Sequence, residues 1–186
     1  MTIIPAGTEV AFRITYLEMP DNPGLEAPAL PDGVRLEHAV DPPVWFFLAM
    51  YDAGGRDYEW RERFDQAEQN PAALRAFVAS PEVEMWVAYA DGWPRGFFQL
   101  DWRKEGVCDL AYFGVVPEAV GTGLGGRLLR TAIAKGWAHR GVGKMTVNTC
   151  TLDHPRALGL YRKMGFRPVR TEDRTRILVR DRDTSR

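Results

Sequence analysis

The most constraining stretch of this 186-residue chain is DLAYFGVVPEAVGTGLGGRLLRTAI, Asp109 to Ile133, where an apolar run passes through four glycines in six residues into a helical pattern. Leu124, Leu128, Ile133 and Trp137 recur at helical spacing, so Gly121 to Gly126 form a loop that opens a helix. Glycines in such a place let successive backbone N–H groups converge on one anion, and the helix start adds unsatisfied donors and the positive end of its dipole. The predicted object is an anion cradle between a strand and a helix. A glycine turn packed tightly on a sheet is the other reading of the same residues.

Gly121, Gly123 and Gly126 also satisfy Gly-x-Gly-x-x-Gly. The loop nonetheless follows a run of strands instead of opening a βαβ unit, and no acidic residue stands about 20 positions on to hold a ribose. Arg127 and Leu128 occupy the places where a P-loop has Lys and Ser/Thr. A P-loop does not fit, and dinucleotide binding, against which both observations count, stays as a third reading.

Around this loop the chain reads as alternating short elements. Val10, Phe12, Ile14 and Tyr16 alternate with polar or small residues, the pattern of a half-buried strand. Its edge is a place where a second copy would pair, giving a homodimer. Pro20 to Gly33, rich in Pro and Gly, separates this extension from the rest. Val34 to Val40 predicts a strand, and Asp41 with two prolines caps a helix that continues to Gly54 and Gly55. A second helix is expected over Asp57 to Glu68, and Asn70-Pro71 caps a third through Val78. Glu84 to Ala90, Arg95 to Trp102 and Val107 to Val116 form an antiparallel meander. After the glycine loop and its helix come a strand, Lys144 to Thr151, and a helix, Pro155 to Met164. Phe166 to Thr171 and Arg176 to Val179 then read as a closing hairpin. The boundaries are an N-terminal strand and linker over 1–33, one domain over 34–180, and a charged tail over 181–186.

Composition narrows the class. A chain that is 45% apolar and 26% charged, with net charge −1, is of ordinary globular type, and at this length it buries roughly 70% of its unfolded surface without staples. Cys108 and Cys150 have neither metal-ligand nor disulfide-framework spacing, so no metal is expected and a reducing cytoplasm is. The longest apolar run is far short of the ~20 residues of a membrane helix, and neither a membrane nor a nucleic acid is an expected partner. Charge is uneven. Residues 1–101 carry 7 Lys/Arg and 17 Asp/Glu, and residues 102–186 carry 17 and 8, so the second half suits an anion and the first a cation.

Two motifs carry a resemblance. VGTGLG, Val120 to Gly125, resembles the (Gln/Arg)-x-x-Gly-x-(Gly/Ala) loop of the GNAT superfamily of acyl-CoA-dependent N-acetyltransferases, with Val120 departing from the usual Gln or Arg. ALGLYRKMGF, Ala157 to Phe166, is similar to that superfamily's A-x-x-x-Y-x-x-x-G-F helix. The likeness runs from about Val83 to Thr171, is weaker over Val34 to Ser80, and does not reach residues 1–33. It implies an α/β fold of the α+β type, with a central mixed, mostly antiparallel twisted sheet flanked by helices.

The resemblance also implies roles. Acetyl-CoA is the implied cosubstrate, its pyrophosphate held by Val120, Gly121, Thr122, Gly123, Leu124, Gly125 and Gly126, and its pantetheine by the backbone of Phe113, Gly114 and Val115, where the fourth and fifth strands part. Asn148 and His154 are further contacts. Tyr161 matches the residue that protonates the leaving thiolate, and Asp109 falls where some members place a glutamate base. Direct transfer to a primary amine, small-molecule or peptide, needs such a base, an amide donor and an acid. Neither cysteine has a neighbour that would make it a relay nucleophile. A non-catalytic acyl-CoA binding or sensing module is the alternative.

Substrate selection is expected in the first two helices, where Trp45, Tyr51, Tyr58 and Trp60 lie among Asp52, Asp57, Glu59 and Glu62. Aromatic and acidic residues together suit an amine with an apolar body, although their helical spacing equally suits a core.

Overall fold

In the computed structural model, which describes residues 3–183, the alternating N-terminal stretch extends into a long strand and the chain builds nine strands and five α-helices among the described residues. They run β1 (Ile3–Ile4), β2 (Glu9–Met19), β3 (Arg35–Ala39), α1 (Val44–Gly55), α2 (Glu62–Gln69), α3 (Pro71–Val78), β4 (Val83–Ala90), β5 (Trp93–Asp101), β6 (Val107–Val115), α4 (Leu124–Ala138), β7 (Lys144–Cys150), α5 (Ala157–Lys163), β8 (Arg167–Ile177) and β9 (Arg182–Asp183). Seven strands form one sheet in the order β3-β4-β5-β6-β7-β2-β8, antiparallel at every pairing except β6 with β7. This is the mixed, mostly antiparallel sheet flanked by helices that the sequence predicts.

Each face of the sheet has its own core. On one, Phe47 and Tyr51 of α1 and Leu74 and Phe77 of α3 pack on Met85, Val87 and Phe97. On the other, Leu124, Leu128 and Ala132 of α4 and Tyr161 of α5 meet Phe98, Leu100, Leu110, Met145 and Val147. Two close approaches need glycine. A Cβ on Gly136 of α4 would lie 2.5 Å from Met145 Cε, and one on Gly114 of β6 would lie 3.3 Å from Gly54 Cα of α1. Leu25 and Leu30 of the Pro/Gly segment pack against the α4 core, and Arg127 and Arg130 donate to the carbonyls of Ala29 and Glu26 at 2.6 and 3.1 Å.

Four expectations are corrected. β2 is not an edge: it pairs with β7 on one side and β8 on the other, Tyr16 standing opposite both Asn148 and Arg170. The closing hairpin is one strand, β8, whose charged run TEDRTR stays extended because it lies on the sheet's edge, where Arg13–Asp173 and the Glu172 pairs with Arg170 and Arg174 face solvent. The second helix starts later. Arg56–Tyr58 form a 3-10 turn, Glu59 takes a left-handed backbone (φ 60°), and α2 begins only at Glu62. Finally, Asp41 does not cap α1; Pro43 does, without a side-chain bond, and Asp41 pairs with Arg75 at 2.8 Å. The cap on α3 is as predicted, Asn70 Oδ1 accepting from Ala73 N at 3.1 Å. Of the segment 181–186, Arg182–Asp183 pairs with β1 and residues 184–186 lie outside the described residues. No helix among the described residues is long and apolar enough to cross a membrane.

Candidate active site

A β-bulge opens the site. In the β5–β6 ladder Gln99 faces Tyr112 and Leu100 faces Leu110, so Ala111 has no opposite number. Such a bulge increases local twist. The parallel β6–β7 ladder holds only from Val107–Asp109 to Lys144–Thr146, and beyond it the two strands part. A cavity of about 660 Å³ fills the wedge, with Phe113, Gly114 and Val115 on one wall and Val147, Asn148 and Cys150 on the other.

One end of this cavity is the glycine turn. Val120, Gly121, Gly123, Gly125 and Gly126 line it. Gly121 and Gly123 have φ of +84° and +82°, in the region that favours glycine, and a Cβ built on either meets nothing within 4 Å. The turn therefore leaves open space beside the start of α4, where a helix has N–H groups without intrahelical partners, and no acidic residue stands in the first turn. Thr122 and Leu124 do not line the cavity. Thr122 Oγ1 donates to Ala119 O at 2.8 Å and accepts from Leu124 N at 3.4 Å, which shapes the turn, and Leu124 is buried in the core. Val120 is 38% exposed and brings no charge, but Arg156, just before α5, lines the same cavity with a guanidinium that sequence reading missed.

Tyr161 stands along the wall. Its ring meets Phe113 and Phe166 edge-on at centroid distances of 6.4 and 6.0 Å. The residue is only 6% exposed, yet its hydroxyl has no hydrogen-bond partner among the described residues. Burial, reinforced by Asp153, raises its pKa above that of an ordinary phenol, so it stays protonated at neutral pH. A core tyrosine is expected to satisfy its hydroxyl, and this one leaves it to the cavity. His154 also lines the cavity, its Nδ1 facing Arg156 N at 3.1 Å and its ring edge-on to Tyr58.

The other end is aromatic and charged. Tyr51, Tyr58 and Trp60 line it, joined by Tyr112, Glu59 and Glu62. Trp60 is fixed from two sides: its Nε1 donates to Asp153 at 3.1 Å, and its ring lies where a Cβ on Gly55 would be, 2.3 Å away. Tyr51 donates to Glu62 Oε2 at 3.1 Å, and Arg176 of β8 donates to Glu62 Oε1 at 2.8 Å. Burial opposes ionisation of Glu62, but backbone N–H groups, Arg176 and Tyr51 hold its carboxyl below the usual range. Sequence reading gave β2 a pairing edge and no place in the site, yet Phe12, Ile14 and Tyr16 line this end together with Arg174 and Arg176. Their alternation was visible; their neighbours were not.

Two expected site residues stand elsewhere. Trp45 is 70% exposed and does not line the cavity. Asp109 lies at the paired end of β6, in a separate hollow of about 380 Å³ with Glu18, Arg103, Lys144 and Thr146, and accepts from Thr146 Oγ1 at 2.5 Å. Burial raises its carboxyl above the ordinary range, against the Thr146 bond and with the help of Asp101. Cys150 does line the cavity, but burial beside Asp153 pushes its thiol up to about 11, far from a reactive thiolate. Among the described residues no cluster of His, Cys, Asp or Glu is arranged to hold a metal.

The wedge between the parting parallel strands, with the glycine turn at one end, is the site that this fold builds. The model of the acetyltransferase (GNAT) family matches residues 47–166, and the chain belongs to that family. Solved structures of similar fold include a GCN5-related N-acetyltransferase from Kribbella flavida (20% identity, TM-score 0.58, covering 88% of this chain and 56% of that one) and another from Sphaerobacter thermophilus (18%, 0.61, 96% and 53%). A tandem GNAT protein from the clavulanic acid biosynthesis pathway is similar at 17% identity and TM-score 0.63, over 93% of this chain and 55% of that one. The chain thus spans little more than half the length of these structures. A search of curated proteins finds no match.

Proposed function

We propose that the protein moves the acetyl group of acetyl-CoA directly to a primary amine, both substrates being bound together. The observation that carries this reading is the single cavity joining the glycine cradle, the parted strands, the unpartnered Tyr161 hydroxyl and an aromatic, acidic far end. The cradle fits a pyrophosphate, since its space is one that a Cβ at Gly121 or Gly123 would enter. Arg156 supplies the charge that Val120 lacks, and the edge of β6 past Asp109, unpaired on the β7 side, offers backbone groups to an extended pantetheine.

When bound, acetyl-CoA supplies a thioester carbonyl open to attack by the amine. An ammonium acceptor gives up two protons in forming the amide. One reaches the coenzyme sulfur by way of the Tyr161 hydroxyl as the carbon–sulfur bond breaks and the carbon–nitrogen bond forms, and the other leaves to water. The chain's residues do three things here: the cradle anchors, β6 and β7 orient, and Tyr161 donates at its phenolic oxygen. Asp109, outside the cavity, takes no part in this account.

Calorimetric titration with acetyl-CoA, followed by thiol release in the presence of an amine panel, tests the reading. Binding with turnover supports it. Tight binding with no turnover across the panel makes the chain an acyl-CoA binding module instead, and absence of binding overturns both.

A further inference from the structure

The acceptor end of the cavity holds a carboxylate with no cation of its own. Glu59 is 4% exposed and sits in a left-handed backbone conformation (φ 60°), which is strained for a residue other than glycine. Its Oε2 accepts from Val179 N at 3.2 Å, and its Oε1 has no hydrogen-bond partner among the described residues. Arg176 approaches, but bonds the Glu59 carbonyl and gives its other nitrogen to Glu62. A buried carboxylate without a counter-charge is costly, and a cationic ligand in the cavity that Glu59 lines would remove that cost.

The wall beside it is largely apolar and aromatic, edged by charge where Arg170 stacks 3.8 Å from the Tyr16 ring centroid and the Tyr16 hydroxyl donates to Glu172 at 3.0 Å. Phe12, Ile14 and Tyr16 project from one face of β2, and the register sets Ile14 beside Cys150 and Tyr16 beside Asn148, the β7 residues of the cavity wall. Arg176 links the two features, lying 5.5 Å from the Phe12 ring centroid while it holds the Glu59 carbonyl. The remaining lining carboxylates are engaged: Glu62 by Arg176 and Tyr51, Asp153 by Trp60, Thr149 and the Cys150 N–H. One free carboxylate suits one ammonium.

We infer that Glu59 and the β2 stripe form the acceptor subsite, and that it takes a monoamine carried on a flat apolar body. The ammonium sits on Glu59 and the body lies on Phe12 and Tyr16, which makes β2 a specificity-determining strand. This rests on the acetyl-transfer reading only for the fate of the amine, since the subsite binds whether or not transfer follows.

The test uses the full chain loaded with coenzyme A, and titrates 2-phenylethylamine, n-propylamine and spermidine by calorimetry, with acetyl transfer to each measured in parallel. The phenyl amine should bind at least tenfold more tightly than either other probe. Glu59→Gln, which keeps an acceptor for Val179, should weaken that binding at least tenfold while leaving coenzyme affinity unchanged; Phe12→Leu should shrink the preference over propylamine. Melting curves confirm that each variant folds, and Tyr16→Leu replaces Phe12→Leu should the latter not. Equal binding of the three amines, preference for spermidine, or an unaffected Glu59→Gln variant overturns the assignment. Selective binding without transfer leaves the subsite standing and overturns the transferase reading instead.

Discussion

A phenol that is nearly fully buried, protonated at neutral pH and without a partner is an available acid, and removing its oxygen isolates that role. Tyr161→Phe should lower turnover about 10–100-fold with little change in acetyl-CoA affinity or melting temperature. A depressed melting point with normal turnover would make the residue structural. Gly123→Glu brings both a carboxylate and a strained backbone to the cradle, φ there being +82°, and should abolish measurable acetyl-CoA binding in calorimetry while the fold persists. Asp109 gives a pH-dependent expectation. Its raised pKa means that the folded state holds the proton longer than the unfolded one; the associated stability is complete below about pH 3.9 and is lost as pH rises through the raised value. Asp109→Asn should therefore gain on the wild type in urea midpoint as pH rises above about 4, and an unchanged difference would mean that burial does not perturb the carboxyl. The glycines and Tyr161 were legible in the sequence because they belong to short motifs, each read within a few residues. Glu59 was read only as one of four acids beside the aromatic residues, because its lack of a cation depends on Val179 and Arg176, far along the chain.

At the scale of elements, the strands were readable from alternation and turn residues, and the errors fall where tertiary contacts override a local pattern. The stretch around Tyr58 to Arg61 is charged and helix-compatible, yet Trp60 must reach Gly55 and Asp153, and the helix breaks to let it. β8 reads as a turn between two short strands until β2 supplies a partner along its whole length. The Gly54–Gly114 approach sets how near α1 lies to the wall of the cavity. Gly114→Val should cost about 1–3 kcal/mol by overpacking, seen as a lower denaturation midpoint. Gly159→Ala in α5, where a Cβ meets nothing, should instead be neutral or stabilising by up to about 1 kcal/mol. Equal effects of the two would mean that close packing of α1 on β6 is not what requires glycine.

For the whole molecule, the position of β2 between β7 and β8 bears on how the chain is made. Tyr16 leaves the ribosome about 130 residues before Asn148, its partner across the sheet, and Arg170 follows later still. At about 5–20 residues per second, β2 waits on the order of 10 s with Phe12, Ile14, Tyr16, Leu17 and Met19 unpaired on both edges. The nascent polypeptide thus carries an apolar segment without its sheet partners until β7 and β8 have been made. Stalled chains ending before Lys144 should be cut by trypsin after Arg13, and those extending beyond Ile177 and clear of the exit tunnel should resist. Early resistance would mean that β2 finds a temporary partner before its permanent ones exist.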